Sequence, residues 1–273
     1  MPGGWAPSPP STPDVELIDS SANRELTRRL AQAGFIAAEE EADLLTRSAE
    51  GDSTRLELLL QRRLTGEPLA WITGRTEFCG LELLVDRGVY VPRWQTEPLA
   101  RLAAQRLPVQ GTAIDLCTGS GAIARVLMTS RPAARVVATD LDEAAVACAR
   151  RNGVDAYHGG LFNPLPAGLE GDTDVVVAVV PYVPSAELAL LQRDTLRFES
   201  PLAYDGGGDG TEILKAVISE STRFLRPGGR LLLEIGGHQD LHLRGDLERL
   251  GYRKVTLLHD EEGDLRGLAA TLI

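Results

Sequence analysis

Lysine is nearly absent: of the 28 basic residues only Lys215 and Lys254 are lysines. Cysteine is scarce as well. The three thiols, Cys79, Cys117 and Cys148, cannot all pair with one another and form no C-x-x-C, so neither a disulfide framework nor a zinc knuckle is indicated. A reducing, cytoplasmic setting fits best. The four histidines (His158, His238, His242 and His259) are dispersed without ligand spacing, so no metal is expected. No apolar run approaches the roughly 20 residues needed to cross a bilayer. The opening MPGGWAPSPPSTPD has neither the basic start nor the apolar core of a secretory signal. There is no G-x-S-x-G, so no nucleophile elbow is in view. What remains is an ordinary soluble composition, 43% apolar and 25% charged, in 273 residues, long enough for about two domains. The net charge of −11 disfavours broad contact with a polyanion, and no direct nucleic-acid binding is expected.

Residues 1–13 hold five prolines and no apolar period, which predicts a disordered tail. From Val15 to about Leu64, leucines recur at helical spacing (Leu26 and Leu30; Leu44 and Leu45; Leu56, Leu59, Leu60 and Leu64). Asp52 or Ser53 is placed to cap the last of these runs, and Gly66 with Pro68 stops it. A small helical domain of three or four helices is predicted over 14–70, with Glu39-Glu40-Glu41 as a solvated helix face. Residues 69–97, rich in β-branched and aromatic side chains and punctuated by glycines, read as extended or hairpin structure joining two domains, with the linker hairpin at 71–97.

From 98 to 273 short strand patterns alternate with helical ones. Strands are predicted at Ala113–Cys117, Val136–Asp140, Asp155–His158, Asp174–Val180 and Arg230–Ile235. Helices are predicted at Ala122–Thr129, Glu143–Asn152, Ser185–Arg193 and Gly210–Phe224. That alternation implies an α/β fold, a mostly parallel sheet with helices on both faces. Two last strands, Arg253–His259 and Leu268–Ile273, should form an antiparallel hairpin at the sheet edge.

The first strand of this part runs into Asp115-Leu-Cys-Thr-Gly-Ser-Gly-Ala-Ile-Ala124. Gly119 and Gly121 let backbone approach a ligand at a strand–helix turn, and the acid ending the next strand, Asp140, is placed to accept the hydroxyls of an adenosine ribose. The same geometry serves NAD and S-adenosylmethionine, and the loop alone does not choose between them.

Further segments do choose. TGSGAIA, TDLDEAAVACARRN, GGLFNPLP and DVVVAVVPYVP, with PLAWITGRTEFCGLELLVDRGVYVPRWQTE before them and RFESPLAYDGGGDGTEIL and LRPGGRLLLEIG after, resemble in order the HemK/PrmC family of protein-(glutamine-N5) methyltransferases. The resemblance covers about residues 15–273. It implies a class I S-adenosylmethionine-dependent methyltransferase fold, Rossmann-like with a seven-stranded sheet, behind a small helical substrate-binding domain and a linker hairpin. It implies S-adenosylmethionine as cofactor, a peptide-chain release factor as protein partner, and methylation of the glutamine in that factor's GGQ loop, a step belonging to translation termination. Cys117, Thr118, Gly119, Ser120 and Gly121 would wrap the methionine part of the cofactor. Asp140 would hold its ribose, and Gly160 and Leu161 would flank its adenine. Val179, Val180, Pro181 and Tyr182 would form the acceptor site, with Val179 also touching the cofactor. The D-G-G-G-D-G run at 205–210 lacks the ligand pattern of a calcium loop, and the resemblance places it near the active site.

The departures from the family pattern fall on the chemistry. Val179-Val180-Pro181-Tyr182 stands where the family has N-P-P-Y. An amide nitrogen is a poor nucleophile because its lone pair is delocalised, so the site must bind its N–H groups to orient it. Valine accepts nothing, and one lost acceptor costs about 1–3 kcal/mol. Cys117 replaces a glycine, Gly160 an acid, and Gln95 an acid of the R-P-E-T-E segment. Two alternatives therefore stay open: a methyltransferase for a small molecule or amine, and an inactive paralogue that only binds the cofactor.

Overall fold

The computed structural model describes residues 20–191 and 197–273. The expected tail at 1–13 lies outside them, as does the end of the helix expected at Ser185–Arg193. The chain divides into two compact units, Met1–Thr65 and Gly66–Ile273.

In the first unit three helices are described: α1 (Ser20–Gln32), α2 (Ala38–Ala49) and α3 (Ser53–Leu64). Leu26, Leu30, Ala42, Leu45, Leu59 and Leu60 form buried stripes at three- and four-residue spacing, which is what holds helices of this length together. Asp52 caps α3, its carboxylate accepting the Thr54 and Arg55 N–H groups at 2.8 and 3.1 Å. The acidic run opens α2, where carboxylates suit the positive end of the helix. Glu39 and Glu40 are exposed as expected. Glu41 is not a solvated residue. It is half-buried and takes the Arg63 guanidinium at 2.6 and 2.9 Å, so one member of the run fastens α2 to α3.

The second unit opens with α4 (Leu69–Thr73), where extended chain was expected. Its β-branched and aromatic residues read as a strand. However, Pro68 starts a helical turn, Gly74 ends it in the left-handed region, and the Trp71 indole is buried with its N–H donated to the Val89 carbonyl at 2.8 Å. The predicted hairpin follows as β1 (Arg75–Phe78) and β2 (Leu81–Leu84), paired antiparallel. Its two-residue turn, Cys79-Gly80, has positive φ at both positions, which matches the twist of the strands. The Cys79 N–H is held by the Glu97 carboxylate at 2.8 Å.

Helix α5 (Glu97–Arg106) leads into the main sheet: β3 (Thr112–Leu116), α6 (Ala122–Ser130), β4 (Arg135–Asp140), α7 (Glu143–Arg151), β5 (Asp155–His158), β6 (Thr173–Ala178), α8 (Glu212–Phe224), β7 (Leu225–Glu234), α9 (Gln239–Arg249), β8 (Tyr252–His259) and β9 (Leu265–Leu272). The segment Ser185–Leu190, expected as helix, is a 3₁₀ run after Pro184. The seven strands lie in the order β5-β4-β3-β6-β7-β9-β8, parallel except for β9, which is antiparallel to both neighbours. The last two strands do pair as a hairpin at the edge, with β9 inserted between β7 and β8. Successive strand residues face opposite layers. Ala113, Val175 and Val177 pack with Ala103, Leu127 and Ala149 of α5, α6 and α7. Ile114, Val176 and Leu233 pack with Leu214, Ile218 and Leu243 of α8 and α9. From β3 the chain runs outward through β4 and β5, then returns to β3's other side for β6. That reversal leaves a crevice beyond the carboxyl ends of β3 and β6, where sheets of this kind bind ligands.

Candidate active site

The β3–α6 turn enters this crevice in a shape few residues tolerate. Cys117, Gly119 and Gly121 all have positive φ, at 55°, 57° and 84°. Two anchors hold it: the Thr118 N–H donates to the Thr139 carbonyl of β4 at 3.0 Å, and the Gly119 N–H to the Asp140 carboxylate at 2.8 Å. The other Asp140 oxygen accepts the Asp142 N–H at 2.9 Å. Burial raises the Asp140 pKa. Beneath the turn Asp115 is fully buried, one oxygen accepting the Thr118 hydroxyl at 2.6 Å and the Ala124 N–H at 3.0 Å. Burial, opposed by those two bonds and reinforced by Asp140, lifts its pKa to about 7. The Cys117 thiol is raised as well, by burial first and then by the two acids, so it is not a poised nucleophile.

A cavity of about 950 Å³ lies over this turn. Of the residues expected at the cofactor, Cys117, Thr118, Gly119, Ser120, Asp140, Gly160, Leu161 and Val179 line it. Gly121 does not. A Cβ there would meet Val154 Cγ2 at 2.8 Å and the Ala149 Cβ at 3.2 Å, so this glycine serves the packing of α6 against α7. At Gly119 a Cβ would find only the Tyr90 carbonyl, at 3.9 Å, and the backbone there is open to a ligand. Ser120 lines the cavity, and its hydroxyl is buried without a hydrogen-bond partner. Its carbonyl is fixed by the Asn152 amide at 2.8 Å, which also binds the Leu84 carbonyl and so ties the turn to β2.

Val179, Val180, Pro181 and Tyr182 leave β6 along the same cavity. The two valines do not plug it. Val180 is buried in the layer of α8 and α9, and Val179 packs half-buried against the opposite layer. Tyr182 donates its hydroxyl to Glu234 at 3.2 Å.

Other lining residues were not singled out by sequence: Asp115, Tyr90, Arg93, Thr96, Glu199 and Tyr204. Glu199 is 2% exposed and binds Arg93 at 2.6 Å, the Val91 N–H at 3.3 Å and the Tyr204 hydroxyl. Burial works against the Arg93 charge most strongly of any single influence, but Glu199, Tyr90 and Tyr204 together outweigh it and the pKa is raised overall. Desolvation pushes Tyr90 up to about 12. Asp115 was visible as the acid before the glycine turn. Arg93 and Val91 lie 106 and 108 residues from Glu199, and no local pattern announces them.

A seven-stranded sheet closed by an antiparallel strand, with a glycine turn and an acid-ended neighbouring strand at its switch point, defines a class I methyltransferase. The family model "Methyltransferase small domain" matches residues 82–163, which include the turn, Asp140 and Leu161. Release factor glutamine methyltransferase of Geobacter sulfurreducens is 35% identical over 75% of this chain and 73% of its own length. That of Neisseria gonorrhoeae is 36% identical over 84% of this chain and 87% of its own. The solved release-factor-specific protein-(glutamine-N5) methyltransferase of Alicyclobacillus acidocaldarius is 23% identical, with a TM-score of 0.42 over 67% of this chain and 94% of that one. The chain belongs to the release factor glutamine methyltransferase family. Among the described residues no helix is long and apolar enough to cross a membrane.

Proposed function

We propose that the protein transfers a methyl group to the side-chain nitrogen of the glutamine in the GGQ loop of a peptide-chain release factor, with S-adenosylmethionine as donor. The observation that carries this reading is a single cavity lined both by the glycine turn and by the Val179–Tyr182 segment, in a chain of this family. The residues present suit the donor. Gly119 gives open backbone, Ser120 a buried hydroxyl without a partner, and the Asp115 and Asp140 carboxyls, raised by burial, would be drawn towards their charged forms by a cation. Asp140 takes the ribose, and Gly160 with Leu161 borders the adenine. When bound, S-adenosylmethionine supplies a methyl group already activated on a sulfonium.

The task of the protein is then to orient an unreactive amide. The Val180 carbonyl accepts one amide N–H, the Tyr182 ring lies against the amide plane, and Pro181 stiffens the backbone between them. Val179 contributes an apolar wall and no acceptor, so this site binds the amide less completely than one with a polar side chain at that position. The helical unit, within 14–70, serves substrate binding, and residues 98–273 carry the chemistry. The protein acts in the cytoplasm, where release factors work, and its net negative charge suits a protein partner without direct nucleic-acid contact.

The test is methyl transfer from labelled S-adenosylmethionine to a release factor and to its GGQ Gln→Ala variant. Label on the first alone supports the reading. Equal labelling of both, or binding of the donor with no transfer, refutes it.

A further inference from the structure

We infer that Glu234 and Gln239 are positioning residues for this reaction, holding Tyr182 at its phenol and at its carbonyl. The inference rests on the reading above, in which Tyr182 faces the acceptor amide.

Both residues flank one short connection. Glu234 ends β7, and Gln239 begins α9. Glu234 is 6% exposed, a costly place for a carboxylate unless donors surround it. Two hydroxyls do so, Tyr182 at 3.2 Å on one oxygen and Thr96 at 2.6 Å on the other. Gln239 is buried too. Its amide N–H groups donate to the Tyr182 carbonyl at 2.7 Å and the Gly210 carbonyl at 3.1 Å, and its oxygen accepts the Gly236 N–H at 3.0 Å. One side chain thus ties together three segments of chain, and Tyr182 is gripped at both ends.

The glycine run at 205–210 completes the grip. A Cβ on Gly206 would lie 2.7 Å from the Tyr182 Cα, and one on Gly210 would lie 2.2 Å from the Tyr182 carbonyl oxygen. Gly206 and Gly210 therefore have no room for a side chain, because their backbone packs directly behind Tyr182. The Gly206 N–H further donates to the Val183 carbonyl at 2.8 Å, and the Val183 N–H to the Tyr204 carbonyl at 2.8 Å. Tyr182, held this way, lines the cavity. Misplacement of a positioning group by about an ångström is enough to lose about a hundredfold in rate.

The test uses the full chain with Glu234→Leu, Glu234→Gln and Gln239→Leu. It measures kcat and KM for the release factor, donor Kd by calorimetry, and the ¹⁹F resonance of a fluorotyrosine placed at position 182. We expect Glu234→Leu and Gln239→Leu to lower kcat by about ten- to a hundredfold, with KM and donor Kd within about twofold. The 182 resonance should broaden or shift in both. Glu234→Gln, whose amide still serves both hydroxyls, should restore most of the rate. Unchanged kcat in both leucine variants overturns the inference, as does a loss in Glu234→Gln equal to that in Glu234→Leu. If Glu234→Leu does not fold, Gln239→Leu decides. If the wild-type chain labels no release factor, the acceptor reading fails instead. The resonance then judges the grip alone, and an unmoved, sharp signal in the variants refutes it.

Discussion

Gly119 and Gly121 stand two residues apart in one turn, yet alanine at each should break a different property. At Gly121 the backbone has φ +84°, and an added Cβ would sit 2.8 Å from Val154 and 3.2 Å from Ala149. The left-handed conformation costs a side chain roughly 1–2 kcal/mol, and overpacking adds about 1–3 kcal/mol. Gly121→Ala should therefore destabilise the second unit by about 3 kcal/mol, which for a unit of this size lowers Tm by about 6–12 °C. At Gly119 φ is +57° and the nearest atom to an added Cβ is 3.9 Å away, so only the conformational cost of about 1 kcal/mol remains. That methyl group, however, enters the cavity. Gly119→Ala should keep Tm within about 4 °C of wild type while weakening donor binding by about tenfold or more, a loss of about 1.4 kcal/mol. Thermal unfolding by circular dichroism, paired with calorimetric titration of S-adenosylmethionine, separates the two. If both variants lose stability equally, or if Gly121→Ala loses donor binding with its Tm intact, the assignment of one glycine to packing and the other to the ligand is wrong.

Three further expectations follow from the site. Val179→Asn restores a side-chain acceptor beside the cavity and should raise kcat for the release-factor glutamine by about tenfold, since such a bond is worth about 1–3 kcal/mol; single-turnover labelling that shows no gain counts against the orienting role given to this segment. Asp115 has its folded pKa raised from 3.8 to about 7, so its contribution to stability is intact below about pH 4 and declines as pH rises towards 7. Asp115→Asn keeps one oxygen for the Thr118 and Ala124 donors, and its stability relative to wild type, without donor, should climb between pH 4 and 7 by at most about 4 kcal/mol and then level off; urea midpoints that move together across that range contradict this. Arg93→Met leaves the buried Glu199 carboxylate without its cation and should destabilise by about 3 kcal/mol, with Arg93→Met/Glu199→Gln recovering part of the loss; a double variant no better than the single one would remove the ion pair from the account.

The sheet was legible because buried parallel strands are written as short β-branched runs such as Asp174–Val180, and because the glycine turn and Asp140 are local in sequence. Errors came where local pattern and long-range packing disagree. Leu69–Thr73 has strand-like residues but folds as a helical turn once Trp71 is buried. Strand β7 begins at Leu225, ahead of the expected Arg230, because Pro227-Gly228-Gly229 reads as a loop although the neighbouring β6 carries the ladder past it through a register shift. The donor side of the site could be read from contiguous motifs. The bonds around Tyr182 and Glu199 could not, because Tyr182 meets Glu234 across 52 residues and Gln239 across 57, and Arg93 meets Glu199 across 106. The fit of the turn also hid one distinction: both glycines are demanded by backbone shape, but only Gly119 faces the cavity.

The placement of β9 bears on how this protein is made. As the nascent chain leaves the ribosome, β7 and then β8 emerge, each with one edge waiting for a strand that is translated after both. Until Leu265–Leu272 arrives, those two bare edges sit close in sequence, open to each other or to another chain, and a strand translated after both is the piece that closes them.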